Sequence, residues 1–128
     1  FLPNETELKF LTGSDTVEEA IGKIEPYINI CVVKCGRNGS ILLQKNKKPV
    51  ILDAFLNNNV VDAIGAGDSF DAGFIHAFVK GASAEEAQIN GNLAGAVNTT
   101  AAGGTGAFTS ANDVKEIAEK RFNKSLIL

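Results

Sequence analysis

Methionine and tryptophan are missing from this chain of 128 residues, and histidine and tyrosine occur once each. Residue 1 is Phe, not an initiator methionine, so the sequence reads as the inside of a longer protein. No apolar run approaches the roughly 20 residues that a membrane-spanning helix needs, and no membrane segment is expected. The opening Phe1-Leu2-Pro3-Asn4 has neither a basic head nor a long apolar stretch, which excludes a signal peptide at this point of the chain. A basic stripe is also lacking. Twelve Lys and Arg stand against fifteen Asp and Glu, for a net charge of −3, and aromatic and basic residues do not interleave, which argues against nucleic acid as the main partner. The short run Lys45-Asn46-Lys47-Lys48 reads as the solvated turn of a hairpin, not a binding patch. Only two cysteines are present, Cys31 and Cys35. Four residues apart on one strand they lie about 13 Å apart, too far for a disulfide. Two unpaired thiols fit a reducing cytoplasm. Repeats and low-complexity linkers are absent.

What is present suffices for a packed core: 45% of the residues are hydrophobic and 21% charged. Residues 5–12 and 16–28 read as helices, the second opened by the capping-box pattern Thr16-Val17-Glu18-Glu19 and disturbed near its end by Pro26. Residues 29–35 are a β-rich apolar run and read as a buried strand. Gly36-Arg37-Asn38-Gly39 is a turn, residues 40–44 a second strand and residues 50–53 an edge strand. Residues 66–80 give the strongest helix, with Phe70, Phe74 and Phe78 at four-residue spacing beside Ile75 and Val79. That stripe reads as core packing, and His76 within it as structural. Gly81 ends the helix. Ser83-Ala84-Glu85-Glu86 is a further capping box and opens a helix to about residue 101, whose small residues Ala94, Gly95 and Ala96 permit close approach of a neighbouring helix or a ligand. A glycine loop at 103–106 and a last helix over 110–122 follow. Alternating helices and buried-type strands indicate an α/β layered fold with an antiparallel hairpin.

One segment points to chemistry. Val60-Val61 leads into Asp62-Ala63-Ile64-Gly65-Ala66-Gly67-Asp68, and a helix starts at once. A glycine turn at a helix N-terminus offers backbone N–H groups and the positive end of the helix dipole to an anion. A carboxylate, Asp68, sits in the same turn. Its bland role is to complement the dipole. Its functional role is to take a proton from a hydroxyl that attacks a phosphoryl group. Asn4 and Glu7, spaced N-x-x-E, and the glycines of the Lys34–Gly39 turn accompany it, and the loop at 103–106 can fold back beside the turn.

These features resemble the C-terminal part of the ribokinase-like (PfkB) carbohydrate kinase family. Its signature D-[TS]-x-G-A-G-D-x-F is matched by Asp62-Ala63-Ile64-Gly65-Ala66-Gly67-Asp68-Ser69-Phe70, with Ala63 in place of the usual hydroxyl residue. Its N-x-x-E motif is matched by Asn4 to Glu7, its strand-G-x-x-G segment by Cys31 to Gly39, and its late glycine loop by Gly103-Gly104-Thr105-Gly106-Ala107. The resemblance implies a layered α/β/α fold with a mainly parallel sheet, and ATP-dependent phosphorylation of a small carbohydrate hydroxyl. It implies Asp68 as base and the amides of Gly65, Ala66 and Gly67 as anion hole. It gives Asn4, Lys34, Gly36, Gly39 and Asn92 to the nucleotide, and Glu7 to Mg²⁺ through a water. Asp62, Ile64, Asn98, Ala101 and Gly103 match positions around a monovalent cation such as K⁺, mostly through carbonyls. Asn4 and Glu7 also read as helix N-cap and partner, Lys34 as a surface lysine, and Asn92 as a satisfied polar helix residue. Residues 1–128 are then expected to be the nucleotide-binding and catalytic portion, without the family's N-terminal sugar-binding half and its lid. The fragment alone is expected to be inactive, and a homodimer is an expectation for the full-length protein only. The alternatives are a nucleotide-binding regulatory module without catalysis, and an α/β domain whose glycines serve turns.

Overall fold

Side-chain caps at four of the five helix starts and short turns between the strands set the order of elements. The structure, a computed structural model, describes all 128 residues. It divides into two units, residues 1–53 and 54–128.

In the first unit, residues 1–4 run parallel to strand β1 (Ile30–Lys34). Val32 and Lys34 donate to the carbonyls of Phe1 and Pro3 at 2.9 and 2.8 Å. Helices α1 (Glu5–Thr12) and α2 (Val17–Ile24) make the crossover between these parallel segments. Pro26 turns the end of α2 into a short 3₁₀ segment. A tight turn with Gly36 at φ 55° and Gly39 at φ 84° joins β1 to β2 (Ser40–Gln44), which pairs with β3 (Val50–Leu52). The three named strands are antiparallel in the order β1-β2-β3. The mainly parallel arrangement expected of the sheet is therefore limited, in this chain, to the pairing of residues 1–4. The reason is connection length: short turns join the named strands, and only a crossover makes a parallel pair. Leu8, Ala20, Ile24, Cys31, Val33, Cys35 and Leu43 form the core. Val32 and Leu42, of opposite pleat, are also buried, as the unbroken apolar run of β1 predicts.

The Thr16 capping box forms only in part. The Thr16 hydroxyl accepts from Glu19 N–H at 3.2 Å, but the Glu19 carboxylate turns to Asp15 N–H at 3.3 Å and to Lys23 at 2.9 Å.

In the second unit, helices α3 (Ala66–Val79), α4 (Ala84–Asn98) and α5 (Ala111–Phe122) pack together. Glycine brings α3 and α4 into close contact. A Cβ on Gly73 would lie 2.6 Å from the Ala94 Cβ, one on Gly91 3.1 Å from the Phe70 ring, and one on Gly95 3.1 Å from the Ala66 carbonyl. The small-residue stripe of α4 thus serves a helix neighbour. Leu93, Ala94, Val97, Ala107, Val114, Ala118 and Leu126 form the second core. The Phe stripe is only half core. Phe70 and Phe74 are buried, but Phe78, Ile75 and Val79 are 44%, 53% and 79% exposed, and His76 is exposed too. Periodicity groups residues on a face without saying how much of the face meets a partner, and α4 covers one side of this one.

Candidate active site

The approach to α3 is tied to the end of α4. Val61 N–H donates to the Thr99 carbonyl at 2.9 Å, and the Asn57 amide donates to the Thr99 hydroxyl at 3.0 Å. Asp62 then uses both carboxylate oxygens. One accepts from Ile64 N–H at 2.9 Å, a local Asx-type turn, and the other from Gly103 N–H at 3.0 Å. These bonds, Ile64 first and Gly103 second, hold the Asp62 carboxyl below its ordinary pKa.

Gly65 is the N-cap of α3 at φ 77°, in the left-handed region. A side chain there is excluded twice, because a Cβ would also stand 2.8 Å from Gly104 Cα. The helix has no side-chain cap, whereas α1, α2, α4 and α5 are capped by Asn4, Thr16, Ser83 and Ser110. Ala66 N–H turns back to the Ala63 carbonyl at 3.2 Å, and Ser69 N–H makes the first full-turn bond, to Gly65 at 2.8 Å. The N–H groups of Gly65, Gly67 and Asp68 donate to no atom of the chain. Of the three amides expected to form an anion hole, those of Gly65 and Gly67 are free and that of Ala66 closes the turn; the Asp68 amide is free as well.

Asp68 is exposed on the first turn of α3. It lies on the wall of a cleft of about 610 Å³ that Gly65, Ser69, His76, Asn90 and Leu128 also line. His76, read as structural, is therefore a cleft residue: its position on α3 turns away from the buried Phe70–Phe74 side.

Two buried asparagines on α4 stand out. Asn98, 2% exposed, donates to the Ser69 hydroxyl at 3.1 Å and to the Gly104 carbonyl, and its Oδ1 has no partner. Asn92, 9% exposed, has a buried Nδ2 with no acceptor. An orphaned buried donor or acceptor costs about 1–3 kcal/mol, so both atoms suit a ligand that satisfies them. The Asn92 donor and the free amides at α3 fit a nucleotide and its phosphates. The Asn98 oxygen beside the Asp62–Gly103 link fits a hard cation. Ile64 N–H is held by Asp62, Ala101 N–H bonds the Asn98 carbonyl at 3.4 Å, and the Gly103 carbonyl accepts from Thr105.

The remaining candidates lie in the first unit. Asn4 and Glu7 form a complete capping box: Asn4 Oδ1 accepts from Glu7 N–H, and Glu7 Oε2 from Asn4 N–H, both at 2.8 Å. Lys34 ends β1, its N–H bonded to Pro3, and Gly36 and Gly39 take positive φ in the turn that follows. No three His, Cys, Asp or Glu side chains gather as a metal cage. The expected Mg²⁺ therefore fits only as an ion held chiefly by phosphate oxygens and waters.

Sequence reasoning missed the Asp68 N–H, the second bond of Asp62, and the Asn98–Ser69–Gly104 link. Only the Asx turn of Asp62 has a local signal, an Asp two residues before a turn amide. The Asp62–Gly103 bond spans 41 residues and the Asn98–Ser69 bond 29, while the Asn98–Gly104 bond spans six.

The profile of the family described as pfkB family carbohydrate kinase matches residues 1–111. An uncharacterized sugar kinase of Archaeoglobus fulgidus is 35% identical over 96 residues, covering 75% of this chain and 38% of that protein. Among solved structures, Arabidopsis thaliana ribokinase complexed with ribose and ATP superposes with a TM-score of 0.81 at 31% identity, over 92% of this chain and 40% of that one. A fructokinase double mutant from Vibrio cholerae, bound to fructose, ADP and potassium ion, gives 0.79 at 26% identity, over 92% and 40%. The chain spans well under half the length of each of these relatives.

Proposed function

The chain belongs to the pfkB family of carbohydrate kinases, and from that premise we propose that it is the nucleotide-binding, catalytic portion of an enzyme that transfers the γ-phosphoryl group of ATP to a hydroxyl of a small carbohydrate. The observation that carries the proposal is the start of α3: a carboxylate, Asp68, in the first turn of an uncapped helix whose Gly67 and Asp68 amides are free.

The acceptor hydroxyl loses its proton to the Asp68 carboxylate as its oxygen bonds the γ-phosphorus. The bond from that phosphorus to the β,γ-bridging oxygen breaks, and ADP leaves. Charge spread over the equatorial oxygens is met by the amides of Gly65, Gly67 and Asp68 and by the α3 dipole. Positioning and fixed donors suffice, because phosphoryl transfer asks little covalent chemistry of the protein. Asn92 meets the adenine end through its unsatisfied donor. Asn4, Lys34, Gly36 and Gly39 serve the nucleotide and its phosphates. Mg²⁺, when bound, neutralises phosphate charge, and Glu7 would hold one of its waters. A monovalent cation, K⁺ in the fructokinase relative, has the Asn98 oxygen as its first candidate ligand.

The acceptor-binding half and the lid belong to the remainder of the full-length protein, which we place in the cytoplasm and in which dimerisation would reside. This part alone is then inactive. The relatives' ribose, ATP, fructose and ADP complexes support the reading. A non-catalytic nucleotide-binding module is the second reading, favoured by the 31–41% of the structural relatives' length that the chain spans.

The test is Asp68→Asn in the full-length protein, with ADP release followed over a panel of sugars. A loss of about 10²–10⁴ in kcat is expected of a general base. Near-normal turnover removes Asp68 from that role, and ATP binding by the wild type without ADP release favours the module.

A further inference from the structure

We infer that Asp62 and Asn98 are positioning residues that latch the α3 turn to the loop at 103–104, and so fix the direction of the free amides and of Asp68. The inference rests on the kinase reading for its consequence, but the latch itself is a property of the fold.

Three independent links join the same two segments. The Asp62 carboxylate reaches forward to Ile64 N–H at 2.9 Å and across to Gly103 N–H at 3.0 Å. The Asn98 amide donates to the Gly104 carbonyl and, at 3.1 Å, to the hydroxyl of Ser69, the residue after Asp68. Gly65 packs on Gly104 so closely that a Cβ would stand 2.8 Å from its Cα. The first link is a charge-assisted bond and the second comes from a side chain only 2% exposed. Both ends of every bond named here are protein atoms. The geometry thus gives both residues work that their match to cation-site positions does not describe. A latch of this kind matters because reacting groups tolerate little displacement. About 1 Å of misplacement lowers turnover about 100-fold.

The test has two arms in the full-length protein. The first reads amide hydrogen exchange at Gly103 and Ile64 without nucleotide or added monovalent cation. Protection of both in the wild type is expected, with Gly103 or Ile64 exchanging at least tenfold faster in Asp62→Asn, whose side chain keeps a single acceptor oxygen. Gly103 exchanging in the wild type at the rate of an unstructured amide overturns the latch, and this arm does not depend on kinase activity. The second arm compares Asp62→Asn and Asn98→Asp by turnover across a K⁺ titration. A 10- to 100-fold fall in kcat at every K⁺ concentration, with KM for ATP within about threefold, is the expected split. Recovery of kcat at high K⁺ would overturn the inference in favour of ligation alone. Should one variant fail to fold, the other and the wild-type exchange still decide. If the wild type releases no ADP, the kinase reading fails while the exchange arm still judges the latch.

Discussion

Helices α1 and α3 begin with similar materials and reach opposite hydrogen-bond states. Each has an Asn or Asp just ahead of it and a carboxylate in its first turn. At α1, Asn4 and Glu7 satisfy each other's backbone in a complete capping box with two 2.8 Å bonds. At α3 the flanking Asp62 bonds Ile64 and Gly103 instead, the cap position is a left-handed glycine, and the next amides stay free. The usual solution to unpaired N–H groups at a helix start is a side-chain cap. Four of the five helices here adopt it. The one that does not is the one whose start carries a carboxylate on the wall of a cleft. Local capping chemistry therefore separates helix starts whose donors the chain itself satisfies from one whose donors stay free.

The strongest way to break that contrast is Gly65→Ala. The residue must hold φ 77°, and its Cβ would meet the Gly104 backbone at 2.8 Å. A non-glycine residue in a strained backbone region costs about 1–3 kcal/mol, and here the loop cannot yield without pulling Gly103 from Asp62. Thermal unfolding should show a loss in that range. Turnover of the full-length protein should fall about 100-fold through misplaced amides. Wild-type stability and kcat would remove Gly65 from the contrast.

Gly73→Ala probes the packing that aims α3. Alanine in place of glycine inside a helix ordinarily stabilises by roughly 0.5–1 kcal/mol. At Gly73 the new methyl would lie 2.6 Å from the Ala94 Cβ, so the sign should reverse to a loss of about 1–3 kcal/mol by overpacking. Denaturant midpoints of Gly73→Ala and of the double variant with Ala94→Gly check this, the second change restoring part of the loss.

Much of this scaffold was legible from sequence because its signals are local. The caps at Asn4, Ser83 and Ser110, the turn at Gly36 to Gly39 and the start of α3 each depend on residues within four positions of one another. The glycines at 65 and 67 and the carboxylate of Asp68 mark the site for the same reason. What sequence did not disclose depends on distant partners or on a choice among near ones. Nothing near Ala66 shows that its amide closes the turn onto Ala63 while the Asp68 amide remains free. The second bond of Asp62 needs Gly103, and the Asn98 link needs Ser69 and Gly104. Phe78 and Val79 share the period of Phe70 and Phe74, yet α4 lies over only part of that face. Glu19 had the spacing for a capping box but its carboxylate bonds Lys23 and Asp15, two partners four residues away, one further than Thr16.

The α1 side of the contrast can be sharpened by Glu7→Gln. Glutamine preserves the capping box, so stability should change by less than about 0.5 kcal/mol, the ordinary range for surface substitutions. If Glu7 only caps, turnover is unchanged as well. If it also holds a water of Mg²⁺, as proposed, kcat falls and the Mg²⁺ concentration for half-maximal rate rises while the melting temperature stays put. A drop in melting temperature alone would return Glu7 to a purely structural part.

The smallest effect is expected in the closed core of the first unit, at its two thiols. Burial pushes Cys31 and Cys35 up to about 11, the Glu5 carboxylate adding to the rise at Cys35. The thiolate is the reactive form, and a thiol of pKa about 11 is roughly 0.1% ionised at pH 8. Cys35 in addition donates to the Val33 carbonyl at 3.5 Å, and both residues belong to the α1–α2–β1 core. A disulfide reagent at pH 8 should therefore label neither thiol in the folded protein and both after denaturation. Raising the pH toward 11 should speed labelling in step with ionisation. Rapid labelling at pH 8 in the folded state would mean that the core under β1 opens, and with it the strand that carries Lys34 and the Gly36 turn.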